Sequence, residues 1–107
     1  MTEEKDLNNY ADTLKALTDP NRLKILQILS RHKMEKKISV SKLADKLDLS
    51  QPNVSHHIKV LKHAGFLHCM KKDGCSYYEA DPVHFKQLFS DLFPQLFTED
   101  PGEENHA

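Results

Sequence analysis

Residues 43–65 read LADKLDLSQPNVSHHIKVLKHAG, and two short helices joined by a tight turn account for the pattern. Leu43, Ala44 and Leu47 close one apolar stripe. Asp48 and Leu49 then turn the chain, and an apolar residue at such a corner can plug the angle between two steeply crossed helices. Ser50 is placed to cap the second helix, and Pro52 falls in its first turn, where a missing N–H costs little. Val54, Ile58 and Leu61 recur at helical spacing and face inward. Gly65 stands where a left-handed residue ends a helix. What remains outward is polar: Ser50, Gln51, Asn53, Ser55 and His56 near the helix start, then Lys59, Lys62 and His63. Short amide, hydroxyl and imidazole groups suit base edges in a major groove, where Gln or Asn can pair with adenine. The helix N-terminus itself favours a phosphate, and the later lysines fit backbone contacts.

Upstream, Leu7, Tyr10, Ala11, Leu14 and Leu17 make one stripe on a helix of about three turns. Asp19 before Pro20 is a helix start with a capping carboxylate. Leu23, Ile25, Leu26, Ile28 and Leu29 follow, apolar on more than one side, which predicts a central helix. SRHKMEKK at 30–37 reads as a frayed helix end and basic connector, after which Ser39 caps a third helix carrying Val40 and Leu43.

Downstream, Phe66–Lys72 and Cys75–Ala80 flank Asp73-Gly74, a two-residue hairpin signal. Asp81-Pro82 opens a fifth helix with Phe85, Leu88, Phe89, Leu92, Phe93, Leu96 and Phe97. So many large apolar side chains exceed what a small domain buries internally. They predict a homodimer held by Phe85, Leu88, Phe89 and Leu92 with Leu7 and Leu14 of the first helix. The expected fold is mostly α with a small β-hairpin, five helices plus a wing, in one domain over 1–97. The stretch 98–107, acidic with Pro and Gly, is expected to be a disordered tail.

The chain has 107 residues, enough for one compact domain. No apolar run approaches a membrane span, the first residues do not read as an export signal, and two cysteines make no disulfide framework. These features point to a reducing cytoplasm. The net charge of −1 conceals an asymmetry: residues 31–72 hold ten Lys or Arg against three acids, a net of +7, and residues 73–107 hold eight acids against Lys86, a net of −7. The basic middle is the candidate surface for a polyanion. A solvated helix face gives the same pattern.

LSQPNVSHHIKVLKHAGF, with ALTDPNRLKILQIL before it and the Lys71-Lys72-Asp73-Gly74 hairpin after it, resembles the ArsR/SmtB family of winged helix-turn-helix repressors over roughly residues 7–97. The resemblance implies a sequence-specific regulator, a homodimer on an inverted repeat of double-stranded DNA. It places the recognition helix in the major groove, the wing lysines Lys71 and Lys72 against the backbone or minor groove, and dimerisation on the first and last helices.

Many family members release DNA on binding a metal. One family site places Cys-x-Cys at the start of the third helix, where this chain has Ile38-Ser39-Val40-Ser41 and no sulfur. Another places Asp and His early in the last helix and His and Glu about a dozen residues on. Asp81 and His84 are one residue too far apart for the first pair, and the second falls near Pro94 and Gln95. A solvent-facing His84 beside a capping Asp81 is the expectation, with no metal site and no cofactor. His56 and His57 are adjacent on a helix and diverge too far to chelate one ion together. Cys69 and Cys75 are candidate thiol sensors. With Asp73-Gly74 as the turn, Lys72 faces Cys75 and Cys69 faces Tyr78, so no direct disulfide joins them. Cys69 with His68 is the remaining metal reading. The inducer, whether small molecule, thiol-reactive species or metal, is not specified by the sequence.

An enzyme would need a nucleophile, base and orienter, or an open metal site. Ser55 and His56 point different ways, and no phosphate-cradling Gly loop exists, so no catalysis is expected. The alternative is a winged-helix module that docks a protein and does not bind DNA. Such a helix would expose aliphatic or aromatic residues, and this one exposes polar and basic ones.

Overall fold

The structure, a computed structural model, describes residues 6–31 and 38–97. The connector over 32–37 and the tail over 98–107 lie outside the described residues, as does the side chain of Cys75. The order is α1 (Leu7–Lys15), α2 (Pro20–Arg31), α3 (Val40–Leu47), α4 (Gln51–His63), β1 (Leu67–Lys72), β2 (Cys75–Ala80) and α5 (Pro82–Leu96). Among the described residues, five helices and a hairpin match the architecture expected from the sequence.

Local chemistry sets the boundaries. Asp19 Oδ1 accepts the N–H groups of Asn21 and Arg22 at 2.7 and 3.2 Å, capping α2. Ser39 accepts from Lys42 at the start of α3, and Ser50 from Asn53 at the start of α4. Asp81 Oδ1 accepts the His84 N–H at the start of α5. Each satisfies donors that a helix leaves unpaired in its first turn. α3 ends with Asp48 in the left-handed region (φ 56°) and the Leu49 N–H on the Ala44 carbonyl. α4 ends the same way: Gly65 takes φ +89°, and the Phe66 N–H reaches the Leu61 carbonyl at 2.9 Å.

The core joins α2, α3, α4 and the base of the hairpin, with Tyr10 of α1 and Leu88 and Leu92 of α5 packed into the same cluster. Ile25, Leu43, Val54, Leu61, Phe66 and Leu67 are fully buried. Leu49 packs partly buried against this cluster, at the corner between α3 and α4. α2 is central, touching α3, α4 and β2, although Leu23 is half exposed. β1 and β2 pair antiparallel with Lys72 opposite Cys75 and Cys69 opposite Tyr78. Asp73 and Gly74 both have positive φ, 54° and 78°, as a two-residue turn of the twist-matched type requires.

Two expectations are corrected. Leu88 and Leu92 were grouped with the phenylalanines as pairing residues, but both are buried in the protomer's own core, and Leu14 packs partly buried against it. Among the described residues the exposed large apolar groups are instead Leu7 on α1, Leu23 on α2, and Val83, Phe85, Phe89, Phe93, Leu96 and Phe97 along and just beyond α5. Helical spacing puts Leu88 and Leu92 one turn apart on the inward side, and the phenylalanines flank them. His84, expected to face solvent, is only part exposed. Its Nε2 lies 3.0 Å from the Ala64 carbonyl oxygen, and its ring meets Phe66 edge-on with centroids 5.4 Å apart.

Candidate nucleic-acid interface

α4 presents the side chains that the sequence singled out. Ser50, Gln51, Asn53, Ser55, His56, Lys59 and Lys62 are all exposed, while Val54, Ile58 and Leu61 are buried beneath them. Helical spacing sorts the exposed set. Gln51, Ser55, Lys59 and Lys62 form one ridge, and His56 with His63 forms a second beside it. Asn53 lies on the opposite flank, toward His57. Ser50 spends one acceptor on its cap bond to Asn53, which leaves its hydroxyl proton free to donate.

The wing brings Lys71 and Lys72 to the exposed end of β1, next to the turn. The arrangement is therefore a helix start rich in short hydrogen-bonding groups, cations further along the same helix, and two more on an adjacent hairpin. The groups at the helix start can read bases, and the cations can hold phosphates.

One residue that the sequence reading left unassigned anchors α4. Arg22 donates from Nε to the Ala16 carbonyl at 2.7 Å, from Nη2 to the Lys15 carbonyl at 3.2 Å, and from Nη1 to His57 Nδ1 at 3.1 Å. It caps the end of α1 and reaches α4 with one guanidinium. Accepting that bond requires an unprotonated Nδ1. Burial pushes the His57 ring below its ordinary value of 6.5; Asp19 opposes this, and the cations of Arg22 and His56 add to it. Asp19 itself titrates below 3.8. Its burial acts to raise it, and the Arg22 and Asn21 backbone donors together with the charges of His57 and Arg22 outweigh that. The only sequence signal for Arg22 was its place in the DPNRL helix start.

The candidate metal ligands are engaged elsewhere. Asp81 Oδ1 takes the His84 N–H and Oδ2 contacts His68 Nε2. These hydrogen bonds, the His84 backbone donor first, hold the Asp81 carboxyl below its ordinary value. His68 and Cys69 are successive strand residues and so point to opposite faces, which separates them as joint ligands. Among the described residues no three His, Cys, Asp or Glu side chains converge as a metal site. No helix among them is long and apolar enough to cross a membrane.

Comparison with known proteins agrees with this geometry. Residues 17–69 match a family described as a helix-turn-helix domain. A cadmium resistance transcriptional regulatory protein homolog of Staphylococcus aureus is 35% identical over 85 residues, spanning 79% of this chain and 68% of its own. The transcriptional repressor SdpR of Bacillus subtilis is 33% identical over 67 residues, 63% of this chain and 70% of its own. Among solved structures, an ArsR-like transcriptional regulator from Rhodococcus superposes with a TM-score of 0.70 at 26% identity, covering 80% of this chain and 77% of that one.

Proposed function

This chain belongs to the ArsR-type family of winged helix-turn-helix transcriptional regulators, and we propose that it acts as a homodimeric repressor reading an inverted repeat through α4. The observation that carries this reading is the exposed polar ridge of α4 over a fully apolar underside. Gln51, Ser55 and His56 read base edges, with Asn53 and Ser50 at the helix start. Lys59 and Lys62, and Lys71 and Lys72 on the wing, hold the phosphate backbone. The exposed phenylalanines of α5 with Leu7 of α1 form the surface where two copies meet, since an apolar face of that extent is unusual on a monomer. A twofold dimer then demands a palindromic site. The protein works in the cytoplasm, where its DNA lies, and no catalytic role is assigned to any residue.

The test is a titration of the purified chain against a duplex from its own upstream region and against random duplex, at two salt concentrations. The reading expects tighter binding to the upstream duplex and a steep fall in affinity with salt, because each neutralised phosphate releases counterions. Absence of binding to any duplex at low salt would favour a protein-docking module instead.

A further inference from the structure

α1 and the second half of α4 lie side by side without interlocking. Ala16 just after α1, Val60 of α4 and Ala64 just after α4 are too small to fill the space between the helices, and a groove of about 650 Å³ remains. Volumes of roughly 300–1,000 Å³ are typical of small-molecule sites. The floor is apolar, and the rim carries Lys59 and His63 one turn apart on α4, Arg22 at one end, and Lys15 beside Asp12 on the α1 side.

The charges are unevenly answered. Lys15, also on the rim, has Asp12 at 3.8 Å. Lys59 and His63 have no hydrogen-bond or ionic partner among the described residues, and both are exposed. Arg22 gives one N–H each to Ala16, Lys15 and His57 and keeps two of its five unassigned. One free cation, one imidazole and a partly free guanidinium around an apolar floor suit a single negative charge on an apolar body. A dianionic phosphate would leave charge unmatched.

We propose that this groove binds a small amphipathic monocarboxylate and that Arg22 relays its occupancy to the recognition helix. The relay is geometric. Among the described residues, Arg22 is the groove residue from outside α4 whose side chain hydrogen-bonds to that helix, through His57. The two unassigned N–H groups, on Nη1 and Nη2, receive the carboxylate, and because it is a stronger acceptor for a guanidinium than a neutral imidazole, the guanidinium turns toward it and the Nη1–His57 bond that anchors α4 is weakened. DNA affinity falls, and by linkage DNA weakens the anion by the same factor. The groove stands independently of the proposed function, whereas the relay rests on α4 being the DNA-reading helix.

The experiment follows backbone amide NMR shifts of the full, DNA-free chain titrated with 2-naphthoate, with naphthalene-2-carboxamide and inorganic phosphate as comparisons. Saturable shifts centred on residues 12–16 and 59–64 are expected with the carboxylate, and not with the carboxamide or phosphate. Lys59→Gln with His63→Gln should weaken 2-naphthoate at least about tenfold, the scale expected for lost charge-assisted contacts, without changing the melting temperature. Saturating 2-naphthoate should weaken operator binding by about fivefold or more. His57→Ala should remove the relayed part of that coupling, leaving only direct competition at Lys59, while 2-naphthoate still binds; a coupling unchanged by His57→Ala would overturn the relay. No saturable shift, equal shifts with the carboxamide, or shifts centred on Phe93 and Phe97 would overturn the proposal. So would groove shifts that arise only with duplex, which would make the groove a DNA-backbone contact. Those failures leave operator binding by the ligand-free chain untouched, and loss of operator specificity in that chain would sink the DNA reading and not the groove.

Discussion

His84 Nε2 donates to the carbonyl oxygen of Ala64 at 3.0 Å, tying the first turn of α5 to the C-terminal end of α4. The ring lies directly over Gly65, where an added Cβ would sit 2.6 Å from His84 Nε2. Gly65 also holds φ +89°, which L-residues adopt at a cost.

The first prediction follows from that contact. Gly65→Ala should destabilise the fold by about 2 kcal/mol or more, from positive φ plus the clash. His84→Ala should cost about 1–2 kcal/mol, from the lost hydrogen bond and ring packing. The double variant should be less destabilised than the sum, because removing the ring relieves the clash. Urea denaturation of the three variants measures this, and strict additivity would show that the ring does not constrain Gly65.

A second prediction concerns acid. Because the folded-state value of His57 lies below its ordinary 6.5, the unfolded chain binds a proton first as pH falls. The stabilising contribution of the neutral ring is therefore complete above 6.5 and is lost as pH drops through and below it. Protonation also removes the acceptor for Arg22. Urea midpoints should decline between pH 7.5 and 5.5, and His57→Gln should flatten that decline. An unchanged slope in His57→Gln would assign the acid sensitivity to another group.

Most of the fold was legible because its signals are local. Asp19, Ser39, Ser50 and Asp81 each cap a helix by bonding a backbone N–H two or three residues away, and Asp73-Gly74 fixes the hairpin register by turn geometry alone. The links among elements were not legible. Arg22 meets His57 across 35 residues and His84 meets Ala64 across 20, distances closed only by the packed fold. Likewise Leu88 and Phe89 are equally apolar in sequence, and only the position of α5 on the core separates the buried one from the exposed one. The polar face of α4 was readable in advance because amphipathic spacing alone defines it.

Reading and holding DNA should separate by mutation. Gln51→Ala, Ser55→Ala or His56→Ala should reduce discrimination between operator and random duplex by about 1–3 kcal/mol per lost base contact. Lys71→Ala with Lys72→Ala should weaken all sequences alike and lower the salt slope by about two. Fluorescence anisotropy at several salt concentrations distinguishes these. Specificity lost in the wing variant and kept in the helix variants would reverse the assignment.

The division of α5 into an inward and an outward face predicts two different phenotypes. Phe93 and Phe97 are 63% and 68% exposed, with ring centroids 5.1 Å apart. Phe93→Asp with Phe97→Asp should leave helical circular dichroism intact, convert the species from twice the chain mass to a monomer in sedimentation, and weaken operator binding. Leu92 is 5% exposed, so Leu92→Ala should instead lower unfolding stability by about 2–5 kcal/mol. A dimer that survives both aspartates would move the interface off this face.

The last prediction concerns the inducer. A tetrahedral zinc site needs about four N, O or S donors. The start of α3 offers Ile38, Ser39, Val40 and Ser41 and no thiolate. Near α5, the two oxygens of Asp81 hold the His84 N–H and His68, and the His84 imidazole donates to Ala64 through Nε2, which leaves it one ring nitrogen for a metal. Recruiting Asp81 would compete with two hydrogen bonds, one of them the α5 cap, and Asp81 with His84 supplies only two of the roughly four donors. Neither zinc nor arsenite at about micromolar concentration should therefore release the operator, since a competing ligand set must first repay those bonds. A thiol-directed signal remains open, and Cys75, in the strand directly after the wing turn, is the first position to test, because oxidation there adds bulk or charge near DNA. Operator binding should be measured with zinc, arsenite, peroxide and a persulfide donor, on wild type, Cys69→Ser and Cys75→Ser. Release by peroxide or persulfide that disappears in Cys75→Ser places the sensor on the wing. Zinc release that survives both serine variants and vanishes in His84→Ala would show that the α5 groups can leave their protein partners for a metal after all.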